Sequence, residues 1–117
     1  MRILDVDPVA LSEASGLSDR LVPGEQVEVA FRSPTAALLF TDRRIVLVSR
    51  EALLSERVET SSYSYRAIQH FSVVESSPET RGALKVWLGS DPQPLHLRAN
   101  DGTDFGPLHI FLAGKLV

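Results

Sequence analysis

The side chains best suited to proton transfer or metal binding in this sequence are three histidines, His70, His96 and His109, and each stands apart from the others. No His-Glu-x-x-His run or paired-histidine spacing links them, so no helix-borne zinc site is encoded. Cysteine is absent, which removes thiol nucleophiles, disulfides and Cys-based zinc or iron–sulfur sites. Serine is plentiful but never sits in a Gly-x-Ser-x-Gly elbow, and neither glycine-rich phosphate motif occurs. A small hydrolase using His70 or His96 is the one catalytic reading left, and it is set aside: no catalytic residue, metal or cofactor is expected. The basic residues best placed for an anionic ligand are Arg32, Arg43 and Arg44, beside successive turns.

These residues belong to a chain of 117 residues, 44% of them hydrophobic, enough to bury one core without metal or disulfide. The net charge of -3 is a poor match for nucleic acid or anionic lipid, both of which reward a basic surface. The longest unbroken apolar run is Ala36 to Phe40, far short of the ~20 residues that span a bilayer. The opening residues lack the long apolar stretch of a secretory signal. A soluble, cytoplasmic, single compact domain is expected, preceded by a helical extension over residues 1–24.

That extension reads as a short helix, with Asp7 capping free N–H groups, Pro8 at the first helical position and a stop at Gly16. From Gly24 onward the apolar period is two, broken by turn residues about every ten positions, which predicts antiparallel β structure. Seven strands follow at 25–32, 35–41, 44–50, 58–66, 68–75, 82–89 and 95–99. In the second and third, Ala37 to Phe40 and Ile45 to Val48 are apolar at consecutive positions, so both faces of that hairpin need covering, one by the core and one by a helix or a second subunit. The strand from Val58 to Arg66 is mostly polar and predicts a sheet edge. The tail changes period: Phe105, Leu108, Leu112 and Leu116 form one arc of roughly 80°, a helix over 104–117 capped by Thr103 or Asp104.

Seven strands followed by one helix is the element order of a pleckstrin-homology (PH)-like barrel. The local text agrees. Leu21-Val22-Pro23-Gly24-Glu25-Gln26-Val27, the hairpin Phe40-Thr41-Asp42-Arg43-Arg44 and the corner Tyr65-Arg66-Ala67-Ile68 resemble the bacterial PH-like domain family over residues 20–117. Two positions depart from the family pattern: Ala37 stands where an aspartate is usual, and Ser64 where a proline is usual. The resemblance implies a mainly β (α+β) fold, with the barrel at 25–117 closed by its helix. It also implies a cyclic, pentamer-like homo-oligomer that offers a polar surface to an unidentified protein partner. A barrel that is not fully closed keeps strand edges, and an unpaired edge is a template for pairing with another chain.

The eukaryotic pattern for lipid head groups, with basic residues on the strand after the first hairpin turn, fails here because 35–41 contains none. A peripheral membrane adaptor using Arg32, Arg43 and Arg44 is the alternative to the interaction domain. The candidate interaction surface comprises Trp87 and Lys85, which share the outward side of their strand, His96 and Arg98, outward on the last strand, and Tyr63 and Tyr65 on the polar strand.

Overall fold

In the computed structural model the described residues are 3–9, 19–50, 58–100 and 104–116. They form β1 (Ile3–Val9), β2 (Val27–Ser33), β3 (Ala36–Thr41), β4 (Arg44–Arg50), β5 (Val58–Ser64), a 3-10 turn (Tyr65–Ala67), β6 (Ile68–Val74), β7 (Ala83–Leu88), β8 (Leu95–Ala99) and helix α1 (Gly106–Leu116). No helix among them is long and apolar enough to cross a membrane. The chain divides into two compact units, Met1–Asp7 with Ser64–Val117, and Pro8–Tyr63.

In the Pro8–Tyr63 unit the strands run in the order β5-β4-β3-β2. Pairs Leu39 with Val46 and Ala37 with Val48 occupy one face of the β3–β4 hairpin, and Leu38 with Leu47 and Phe40 with Ile45 the other. Of these, Leu38, Leu39, Phe40 and the four residues Ile45 to Val48 are all buried, none more than 8% exposed. The first face closes around Ala30, Leu39, Val46 and Val48, with Val9 and Leu21 from the segment ahead of β2 packed against it. On the second, Phe31 meets Phe40 edge to face at 6.2 Å. The expected second cover is therefore the chain itself, and the apolar excess that argued for a second subunit does not exist. β2 also departs from strict alternation. A bulge between Val27 and Val29 shifts its register, so Val27 packs on the first face with Ala30, while Phe31 is buried on the second.

The other unit carries the order β1-β8-β7-β6. Its inner face is Leu4, Val6, Leu84, Val86, Leu95, Leu97 and Ala99, all buried. Helix α1 packs against β6 and the 3-10 turn, burying Leu108 and Leu112, with Phe105 buried just ahead of it. Asp104 caps it by accepting from the Gly106 N–H at 2.9 Å. Leu116 ends the predicted stripe but remains 44% exposed, because the helix stops there.

Two expectations need correction. The segment at Asp7-Pro8 is not a helix start: β1 is an eighth strand that includes both residues, and the rest of the predicted helix, 10–16, lies outside the described residues. Leu4 and Val6 alternate with Ile3, Asp5 and Asp7 at period two, and pairing with β8 overrides the local capping signal. Pro8 falls next to the strand's end, where its missing N–H is tolerated. The sheet is also not wholly antiparallel, since β1 runs parallel to β8. The fold is otherwise the mainly β, PH-like one with a C-terminal helix.

Because Leu39 is packed on a face that only its own chain covers, Leu39→Ala should lower stability by about 2–5 kcal/mol. Urea unfolding measures this, and the loss should not depend on protein concentration.

Candidate functional site

The turn Val22 to Glu25 places a carboxylate under the sheet. Gly24 takes a left-handed φ of 84°, and the Glu25 N–H donates to the Val22 carbonyl at 3.0 Å. The Glu25 side chain then meets the β3–β4 turn. Arg44 donates from Nε and Nη2 to its two oxygens at 2.9 Å, the Thr41 hydroxyl donates at 2.6 Å, and the Val22 N–H at 3.1 Å. Arg44 is saturated further by the Arg20 carbonyl at 2.8 Å and the Ser62 hydroxyl on β5 at 2.6 Å. The Thr41 oxygen accepts from the N–H groups of Arg43 and Arg44. Asp42 exchanges bonds with the Gln26 backbone, accepting at Oδ1 and donating from its own N–H, each at 2.9 Å. The Glu25 side chain has no exposed surface and Arg44 keeps 23%. The bonds from Arg44 hold the Glu25 carboxyl at about 2, well below its ordinary 4.5, with burial opposing and Thr41 and Val22 assisting. Glu25 in turn raises Arg44.

Arg44 is thus a structural cation and not a lipid contact. Arg32 and Arg43 are exposed, but Arg32 pairs with Ala37 at the start of β3 while Arg43 follows its end. Five residues of strand hold them ~17 Å apart. The three arginines do not converge on one head group.

The second constellation lies on the outer face of β1-β8-β7-β6. Register sets His70 opposite Trp87, Ser72 opposite Lys85, Lys85 opposite His96, and Ala83 opposite Arg98. Ile3 stands opposite His96 and Asp5 opposite Arg98. Lys85, Trp87, His96 and Arg98, picked out separately from strand alternation, therefore form one half-buried patch. His70 stacks on Trp87 at 4.1 Å between ring centres, 16° from parallel. Asp5 accepts from Arg98 Nε at 3.0 Å and Nη2 at 3.2 Å, and from Arg81 at 2.8 Å. Arg98 above all, then Arg81, keeps Asp5 below its usual value. Burial, followed by the charges of Lys85 and Arg98, lowers His96 against the pull of Asp5.

The tyrosines are not part of this patch. Tyr65 is 6% exposed, packed edge to face on Phe111 at 5.9 Å, with Lys115 Nζ 5.4 Å from its ring centre. The chain turns inward at the 3-10 turn, where the Ser64 hydroxyl accepts the Arg66 N–H at 3.1 Å, so the polar strand ends one residue before Tyr65. Tyr63 is half-buried on β5, in the other unit. His109 is exposed on α1 and meets Phe71 edge to face at 5.0 Å. His70 and His96 share a face, but β7 runs between them, which sets them ~10 Å apart, beyond any shared proton transfer. No group of three His, Asp or Glu side chains suited to a metal ion comes together among the described residues. The residue that sequence reasoning missed is Glu25. Its signal was present, since Gly24-Glu25 and Thr41-Asp42-Arg43-Arg44 both lie in the stretches that resemble the family, but nothing local says that they bond to each other.

Residues 5–115 match the family described as "Bacterial PH domain". The uncharacterized protein YjqA of Bacillus subtilis (strain 168) is 32% identical over 79 residues, 67% of this chain. That match covers 63% of YjqA, so the chain spans less than two thirds of this relative's length. Among solved structures, a pleckstrin-homology domain protein of the duf1696 family from Shewanella loihica PV-4 superposes with a TM-score of 0.79 at 26% identity, covering 97% of this chain and 98% of that one. The pleckstrin homology domain from Shewanella amazonensis SB2B gives 0.68 at 26% identity, over 91% and 97%. A PH-domain-containing protein from Exiguobacterium sibiricum 255-15 shares the fold, with a TM-score of 0.70 at 16% identity over 98% and 61%.

Two outcomes follow from the geometry. Because the Glu25 carboxyl is depressed from 4.5 to about 2, the pair's contribution is whole above the higher value and disappears as pH falls toward the lower. Glu25→Gln should cost about 3 kcal/mol at neutral pH by leaving Arg44 uncompensated, and should flatten the fall in stability across that window, as read by urea unfolding at pH 7 and pH 3. In an NMR titration His96 should protonate below the ordinary 6.5, and Lys85→Ala should move it part of the way back up.

Proposed function

The chain belongs to the bacterial PH domain family, and from that premise we propose that it is a non-catalytic interaction domain. It self-associates into a closed homo-oligomer and presents a polar sheet face to a protein partner. One observation carries the reading: β7 and β8 bring Lys85, Trp87, His96 and Arg98 onto a single face, next to a stacked aromatic pair. Tryptophan and arginine dominate protein-binding hot spots because they combine apolar area with directed hydrogen bonding. A reducing cytoplasm is in keeping with a chain that contains no cysteine.

The assembly rests on strand edges and not on surplus apolar surface. β5 ends the order β5-β4-β3-β2, and β6 ends the order β1-β8-β7-β6. β5 exposes Glu59, Thr60, Ser62 and Ser64, a polar margin that suits a wet, specific contact better than aggregation. Heterologous pairing of one edge with another makes a ring when the rotation between copies closes. Light scattering behind size exclusion should give a mass that is an integral multiple of 12.8 kDa and constant on tenfold dilution. A monomer across that range would overturn the assembly.

A further inference from the structure

We propose that the outer face of β1-β8-β7-β6 binds an acidic, extended protein segment, an inference that rests on the interaction-domain reading and names its partner class. The charge distribution makes the case. The protein as a whole is acidic, at -3, yet the two central strands contribute no carboxylate to this face: Ala83, Lys85 and Trp87 come from β7, His96 and Arg98 from β8. Carboxylates are confined to β1 at the margin. There Asp5 is shared between two guanidinium groups and Asp7 accepts from the Asn100 amide at 3.2 Å, so two carboxylates balance two guanidinium groups and Lys85 is the surplus positive charge. The patch is reachable, since Arg98 and Asp5 keep 41% and 43% of their side-chain surface. The lowered basicity of His96 reports the same positive field, after burial.

Spacing separates an extended segment from a compact anion. His96 and Arg98 are two residues apart on one strand, about 6.7 Å, and Lys85 is one strand, about 4.8 Å, from His96. On this sheet face the cations are spread out, so a single phosphate would meet them one at a time. An extended peptide repeats its side chains on one side at the same interval of about 6.7 Å, so one acidic residue reaches Arg98 while the next accepts a hydrogen bond from the His96 ring. Trp87, two residues beyond Lys85 and held flat by His70, gives an apolar residue at the end of the row a rigid surface, at little ordering cost.

The test is calorimetric titration of the whole protein with a peptide that alternates glutamate with serine and ends in phenylalanine, alongside glutamine and lysine versions of it. The glutamate peptide should bind saturably, and its affinity should fall about tenfold as salt rises from ~0.05 to ~0.5 M. Lys85→Glu should weaken it at least tenfold. Equal binding of the glutamine or lysine peptide would overturn the acidic specificity. So would an affinity indifferent to Lys85→Glu, no binding of any peptide, or preferential binding of phosphatidylserine vesicles or an oligothymidylate through Lys85. None of these outcomes bears on subunit number, so this inference and the proposed assembly fail separately.

Discussion

A strand pair that is apolar on both sides needs two covers, and most of the Pro8–Tyr63 unit is arranged to supply them. β2 supplies Ala30 to the first face and Phe31 to the second, and its bulge brings Val27 onto the first as well. Val9 and Leu21 lie over the first face. The polar end of the hairpin then needs its own closure. Glu25, Thr41 and Arg44 provide it with charge-assisted bonds that leave the carboxylate dry and satisfied. A buried carboxylate without Arg44 would cost several kcal/mol, so the position of the hairpin turn and that of the turn at Gly24 fix each other.

Much of the architecture was legible because it is periodic. The seven strands from β2 to β8 and helix α1 fall within two residues of where alternation and the change of period place them, turns included. What was not legible depended on contacts between distant residues. Asp7-Pro8 carries a sound local helix signal, but β8 offers Leu4 and Val6 a sheet to join, and pairing outweighs a cap worth ~1 kcal/mol. Consecutive apolar residues in β3 and β4 correctly predicted two covered faces. They said nothing about who provides the cover, and a short stretch of the same chain proved sufficient.

The candidate site divides in the same way. Strand parity alone placed Lys85 with Trp87 and His96 with Arg98 outward, and neighbouring registers then merged the two pairs into one patch. Arg44 was misread because an arginine beside a turn looks solvated until its acid, 19 residues earlier, is found. Tyr65 was misread because the polar run before it suggested a continuous exposed strand, whereas Ser64 ends that strand by capping a tight turn. Side-chain hydrogen bonds that redirect the backbone have no period, and a pattern reading passes over them.

The parallel pairing of β1 with β8 also sets an order of events. Asp5 meets Arg98 across 93 residues of chain, and contacts of that separation form late because loop closure must come before any gain. During synthesis at roughly 5–20 residues per second, the first strand must wait on the order of ten seconds before β8 leaves the ribosome. Through that interval Leu4 and Val6 lack the cover that β8 gives, and Asp5 and Asp7, alternating with them, put charge on the strand, which disfavours pairing with a foreign edge.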